Sequence, residues 1–165
     1  MNIVVASKEQ LLIVRDLAHK IWPHTFEKIL STDQIEYMLD LMYNMASLEE
    51  QLQSNRVFLL AEADNRFIGF ASYELNSNDS NKTKIHKLYV LPETQGKGIG
   101  KKLIDYISEK ANNNNNSILI LTVNKYNKAK DFYLKNGFEI TEEAIFDIGN
   151  SYIMDDYIME KKFKF

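Results

Sequence analysis

Apolar and polar positions along this chain recur with two different periods, and the changes of period divide it into elements. Residues 2–6 are apolar and predict a first strand. Ser7 stands where a helix N-cap belongs, with Gln10 at the capping-box position. Leu11, Leu12, Val14, Leu17, Ala18 and Ile21 then recur at helical spacing as far as Trp22-Pro23. A second helix opens at Ser31-Thr32-Asp33-Gln34 and sets Ile35, Met38, Leu39 and Met42 on one face. A short third helix starts at Ser47, with Glu50 three residues on.

Residues 56–63 and 66–75 are rich in branched and aromatic side chains and flank Asp64-Asn65, which predicts a β-hairpin. Residues 76–82 are polar and read as a loop, and 83–90 alternate partly, as a strand does. A helix over 98–111 buries Ile99, Leu103, Ile104 and Ile107. The asparagine run at 112–116 reads as a polar turn without chemistry. Residues 117–123 are continuously apolar, the pattern of a central strand. A short helix over 127–136 ends at a cap glycine, Gly137. Two more strands, 138–146 and 151–160, join around Asp147-Ile148-Gly149-Asn150. The order predicts one mixed α/β domain over 1–165, with no repeat and no linker.

A chain of 165 residues can bury one good core but not two ordinary ones. It holds no cysteine, which excludes disulfides and thiolate chemistry. The net charge of -3 argues against a dedicated nucleic-acid binder, since Lys161, Lys162 and Lys164 form only a short basic tail. The apolar N-terminal run is too short for a signal peptide, and no window reaches membrane-span length. These features lead us to expect a cytoplasmic location, with neither nucleic acid nor membrane as partner. Three histidines without ligand-like spacing give no reason to expect a metal.

The chemistry concentrates in Leu88-Tyr89-Val90-Leu91-Pro92-Glu93-Thr94-Gln95-Gly96-Lys97-Gly98-Ile99-Gly100-Lys101-Lys102-Leu103. A strand stops at a proline, and a glycine-rich turn opens straight into a helix. Such a turn exposes several backbone N–H groups at a helix start, a ready anion site. Thirty residues later stands Asn127-Lys128-Ala129-Lys130-Asp131-Phe132-Tyr133-Leu134-Lys135-Asn136-Gly137-Phe138.

In these two segments and in its order of elements the chain resembles the GNAT superfamily of acetyl-CoA-dependent N-acetyltransferases. Gln95, Gly98 and Gly100 meet the family's central signature. Asn127, Ala129 (one place early), Phe132, Tyr133, Gly137 and Phe138 meet its second. Trp22-Pro23-His24-Thr25-Phe26, the helix over 34–43 and Met154-Asp155-Asp156-Tyr157-Ile158-Met159 further resemble the bacterial polyamine acetyltransferases of the PaiA type. The resemblance implies a central, mostly antiparallel twisted sheet with one splayed parallel pair, flanked by helices.

The resemblance also implies a site. Backbone N–H groups of Gln95, Gly96, Lys97, Gly98, Ile99 and Gly100 would cradle the cofactor's pyrophosphate, with Lys101 and Lys102 adding positive charge. The pantetheine arm would pair with the backbone of Leu88 and Val90, and the strand's Tyr89 would lie on the side opposite His86. Asn127 would contact the cofactor or cap the following helix, and Asn124 and Lys130 would lie close by. Acetyl transfer to the amine would be direct, and the absence of a cysteine relay agrees with that. Tyr133 would be the acid that protonates the leaving sulfur. His86 stands near the family's usual glutamate and is the candidate base, with a carboxylate or a water chain as the alternative. Trp22, His24, Phe26 and His86 would line the acceptor cleft. Asp155, Asp156, Glu49, Glu50 and Glu74 are candidates for its rim. Neighbours in a strand face opposite ways, so one of the paired aspartates can face the cleft, and Asp155 is the choice. The acceptor would be a small-molecule amine, cationic and polyamine-like. A protein or peptide amine is the alternative, as is a CoA-binding sensor without turnover, and family members commonly pair as homodimers.

Overall fold

The computed structural model describes residues 1–163, so Lys164 of the basic tail lies outside the described residues. Seven strands form one sheet: β1 (Asn2–Val5), β2 (Arg56–Ala63), β3 (Arg66–Glu74), β4 (Lys82–Val90), β5 (Ile118–Asn124), β6 (Glu139–Gly149) and β7 (Tyr152–Lys162). Their spatial order is β1-β2-β3-β4-β5-β7-β6, so the last strand inserts beside β5 and leaves β6 at the edge. All neighbours run antiparallel except β4 and β5. This is the mixed sheet with one parallel pair that the resemblance implies.

Five helices cover the sheet: α1 (Leu11–Phe26), α2 (Thr32–Tyr43), α3 (Met45–Gln53), α4 (Ile99–Asn113) and α5 (Ala129–Lys135). Phe70 of β3 packs its ring on Tyr43 of α2, while Tyr73 lies beside Tyr106 of α4. Positions three apart on a strand face opposite ways, so α2 and α4 cover opposite faces. One continuous core joins Leu11, Val14 and Ile21 to Phe58, Phe70, Leu103, Ile107, Leu119 and Met159.

Local chemistry explains most boundaries. Asp64 and Asn65 both take positive φ (51° and 59°), the two-residue turn that matches the twist of a hairpin. Ser31 caps α2 by accepting from Gln34 N–H at 3.1 Å. The third helix starts two residues before Ser47, because Asn44 is its cap and accepts from Ser47 N–H at 2.8 Å. The first helix does not stop at Pro23 but runs on to Phe26. Pro23 offers no N–H to the carbonyl of His19, yet His19 is exposed and water can serve it. The extra turn also buries Phe26 beside Trp22, with ring centroids 4.7 Å apart.

The asparagine run is more than a polar turn. Asn112 and Asn113 finish α4, and Asn116 is 1% exposed. Its Oδ1 accepts from Thr83 Oγ1 at 2.7 Å and from Asn76 N–H at 3.0 Å, and its Nδ2 donates to Asn76 Oδ1 at 2.7 Å. This clamp ties the α4–β5 turn to both ends of the β3–β4 connection. The predicted loop at 76–82 holds one 3-10 turn, Ser77–Asp79.

Candidate active site

The parallel ladder between β4 and β5 is short. It joins Lys82, Thr83 and Lys84 to Ile118, Leu119 and Ile120, and then the strands part. The parting begins at a bulge: Tyr73 pairs with Ile85 and Ser72 with Lys87, so His86 is the extra residue on β4. Leu91 N–H bonds Ile68 O on β3 at 2.8 Å. Hydrogen-bonding groups alternate sides along an antiparallel strand, so Leu88 and Val90 turn theirs into the gap. Gln95 Nε2 reaches the Val90 carbonyl at 3.3 Å. The gap opens into a cleft of about 1090 Å³ between the sheet, α1, α2, α4 and α5.

The glycine turn forms one end of that cleft. Gly96 and Gly98 both have φ of 79°, a left-handed conformation that favours glycine, and nothing approaches within 4 Å of where a Cβ would stand. Lys102 N–H bonds Gly98 O at 3.1 Å; among the described residues the N–H groups from Gly96 to Lys101 find no backbone acceptor. These open donors at the start of a 15-residue helix suit a pyrophosphate. Gly100 serves a different need, because a Cβ there would stand 2.9 Å from Phe132 Cζ, so its bareness lets α4 and α5 close together. Lys101 borders the cleft with its Nζ paired to Asp105 at 2.7 Å, whereas Lys97 and Lys102 line a separate small pocket beside Arg66 and Glu93.

Tyr133, Asn124 and Asn127 border the same cleft. Tyr133 is 7% exposed and packs edge-on to Phe132 and Phe138. Burial pushes its phenol well above the usual value, so it keeps its proton at neutral pH. Asn124 Oδ1 accepts from Tyr126 N–H and Asn127 Oδ1 from Ala129 N–H, each at 2.9 Å, two side-chain turns that shape the chain ahead of α5, whose N-cap is Lys128. Lys130 does not border the cleft; its ammonium lies over the Tyr157 ring, 5.7 Å from the centroid.

At the far end Trp22, His24 and Phe26 of α1 border the cleft with Tyr43, Tyr89 and His86. The Trp22 ring lies 5.6 Å from Tyr43 and 5.7 Å from Tyr89. Tyr89 therefore shares the cleft with His86 instead of facing away, because the bulge resets the alternation. His86 Nε2 stands 3.4 Å from Glu74 Oε1, but burial and the cations of Arg56, Lys84 and Lys87 push the imidazole down to about 3.

The acidic pair also differs from expectation. Asp156 borders the cleft, whereas Asp155 pairs with Lys125 Nζ at 3.0 Å on the other face. The pleat decides this: Met154 contacts Gln34 of α2, and Asp156, two places on, shares its face. Lys87 and Asp156 border the cleft, although the sequence reading preferred Asp155 to Asp156 and gave Lys87 no place there. The bulge that turns Lys87 inward leaves no mark in the residue pattern. Among the described residues no group of histidines and acids could hold a metal, and no helix is long and apolar enough to cross a membrane.

A splayed parallel pair beside a glycine turn with open donors defines a class of protein, the acyl-CoA-dependent N-acyltransferases. Acetyl-CoA supplies the activated acyl group, and the free edge of Leu88 and Val90 and the Gly96–Lys101 donors fit its pantetheine and pyrophosphate. The comparisons agree. The family model for the Acetyltransferase (GNAT) domain matches residues 26–154. The chain belongs to that family and is an acetyl-CoA-dependent N-acetyltransferase. It is 31% identical over 164 residues to a spermidine N(1)-acetyltransferase of Thermoplasma acidophilum, covering 96% of this chain and 94% of the relative. The crystal structure of the PaiA N-acetyltransferase of that organism in complex with coenzyme A is similar over 99% of this chain and 100% of that one, with TM-score 0.80 and 29% identity. A GCN5-related N-acetyltransferase from Rhodopseudomonas palustris shares the fold at TM-score 0.84 and 20% identity, over 98% of this chain and 95% of its own.

Proposed function

We propose that this acetyltransferase acetylates a primary amine of a small cationic molecule, a polyamine such as spermidine. The aromatic wall of Trp22, Phe26, Tyr43 and Tyr89 carries the reading, because ring faces attract alkylammonium groups while their bodies pack the methylene chain. The wall already packs one alkylamine group, since Lys87 Nζ lies 5.0 Å from the Tyr43 centroid. The name of the Thermoplasma relative supports the same substrate class.

In this reading the backbone of Leu88 and Val90 aligns the donor, and the Val90 N–H polarises the reacting carbonyl. The N–H groups of the Gly96–Lys101 turn hold the phosphates, with Asn127 and Asn124 beside them. Tyr133 keeps its phenolic proton for the leaving sulfur. His86 shapes the cleft wall, for an imidazole pushed down to about 3 holds an ammonium's proton poorly. Two copies pairing along the edge strand β6 and a cytoplasmic location complete the proposal.

Lys87 favours a second reading. A cation in the cleft suits an acceptor that carries its own carboxylate, such as an amino acid or a peptide. Acetyl-CoA consumption against spermidine, spermine, short diamines, amino acids and peptides separates the two. Preference for polyamines supports the first reading, and preference for carboxylate-bearing amines the second. Coenzyme A binding without turnover of any amine supports a sensor.

A further inference from the structure

Asp156 is 6% exposed, and its Oδ1 is buried with no hydrogen-bond partner among the described residues. Burying a carboxylate without a donor is costly, and folds rarely keep one idle. Asp156 borders the cleft, and the register sets Asn124 of β5 on one side of it and Ala144 of β6 on the other. The titratable groups that border the cleft with it include His86, Lys87 and Tyr89 of β4, His24 of α1, Tyr43 of α2, Lys101 of α4 and Tyr133 of α5, and Asp155 lies on its own strand with its side chain on the other face. Burial first, and then Tyr133 and Asp156, push the Tyr89 phenol up, so the two phenols and the carboxylate share one neighbourhood.

We propose that Asp156 is the anionic end of the acceptor site: it receives the substrate's ammonium group and takes its proton. This rests on the amine-acetylation reading above. The missing donor at Oδ1 is then the substrate's own N–H. The ammonium gives one proton to Asp156, and the freed lone pair forms the nitrogen–carbon bond as the carbon–sulfur bond breaks with its electrons on sulfur. Sulfur takes the proton of Tyr133. Nitrogen sheds a second proton, so that two leave it, one replaces that of Tyr133, and one reaches solvent as Asp156 resets.

Burial, and after it Asp155, push the Asp156 carboxyl up to about 6. It is therefore ionised at pH 7.5 and a better base than an exposed carboxylate. The test compares wild type with Asp156→Asn, which keeps the shape. Three quantities are read: kcat/KM for spermidine from pH 5 to 9, calorimetric binding of spermidine to the coenzyme A-bound protein, and coenzyme A affinity. We expect wild-type kcat/KM to fall below pH 6. The variant should lose about 10²-fold in kcat/KM, no longer show that acidic limb, and bind spermidine at least tenfold more weakly. Coenzyme A affinity should hold within twofold, and thermal stability at pH 7.5 should not drop. Turnover within threefold of wild type with the acidic limb intact overturns the assignment while leaving amine acetylation standing. A wild type that binds coenzyme A but acetylates no amine overturns both.

Discussion

Lys87 is 7% exposed, with its ammonium over an aromatic ring and no acid paired to it among the described residues. Burial, and then Arg56, push it from an ordinary 10.5 down to about 7. Between those values the unfolded chain binds the proton more tightly than the folded one. Stability therefore climbs as pH rises from 7 to about 10.5. Lys87→Met should flatten this slope and stabilise the protein at pH 6 by about 1–3 kcal/mol, with a smaller gain at pH 9, read by urea unfolding. At Tyr133 the opposite perturbation preserves a proton. Tyr133→Phe should lower kcat about 10²-fold or more, with coenzyme A affinity unchanged, because the ring packing stays and only the acid is lost. The place of Tyr133 at the cleft was legible from its position after Phe132, and its proposed role as acid follows from there. The placement of Lys87 and Asp156 was not, because which way a strand side chain points depends on a bulge and on a neighbouring helix.

Elements meet closely where the glycine turn borders the cleft. Phe132 presses on the bare Cα of Gly100, and Gly100→Val should drive α4 and α5 apart. We expect a loss of about 1–3 kcal/mol in stability and at least tenfold in coenzyme A affinity, measured by unfolding and calorimetry. The Asn116 clamp acts on the same βαβ unit from its other end. Asn116→Ala strands the Thr83 hydroxyl and the Asn76 N–H, so it should cost about 1–3 kcal/mol and leave coenzyme A affinity within twofold. The glycine turn, the Asp64-Asn65 hairpin and the α4 stripe were readable because each rests on short-range backbone chemistry. The passage of α1 through Pro23 was hidden because the burial of Phe26 beside Trp22 outweighs the proline signal, and the burial of Asn116 because a distant contact with Thr83 sets it.

For the whole molecule, the insertion of β7 between β5 and β6 brings Asp156 opposite Asn124 and carries an anion into the cleft. No local pattern encodes that order, yet the family motifs implied the splayed pair and the cleft that follows from it. The substrate proposal belongs to this scale, since the glycine turn, Tyr133 and the aromatic wall meet only in the assembled cleft. Its most direct test is mass spectrometry of a mixture of acetyl-CoA, spermidine and this protein, beside a protein-free control. Our account predicts saturable formation of monoacetylated spermidine with one coenzyme A thiol released per acetyl group transferred. Bound acetyl-CoA that stays intact, with spermidine unmodified, would contradict it.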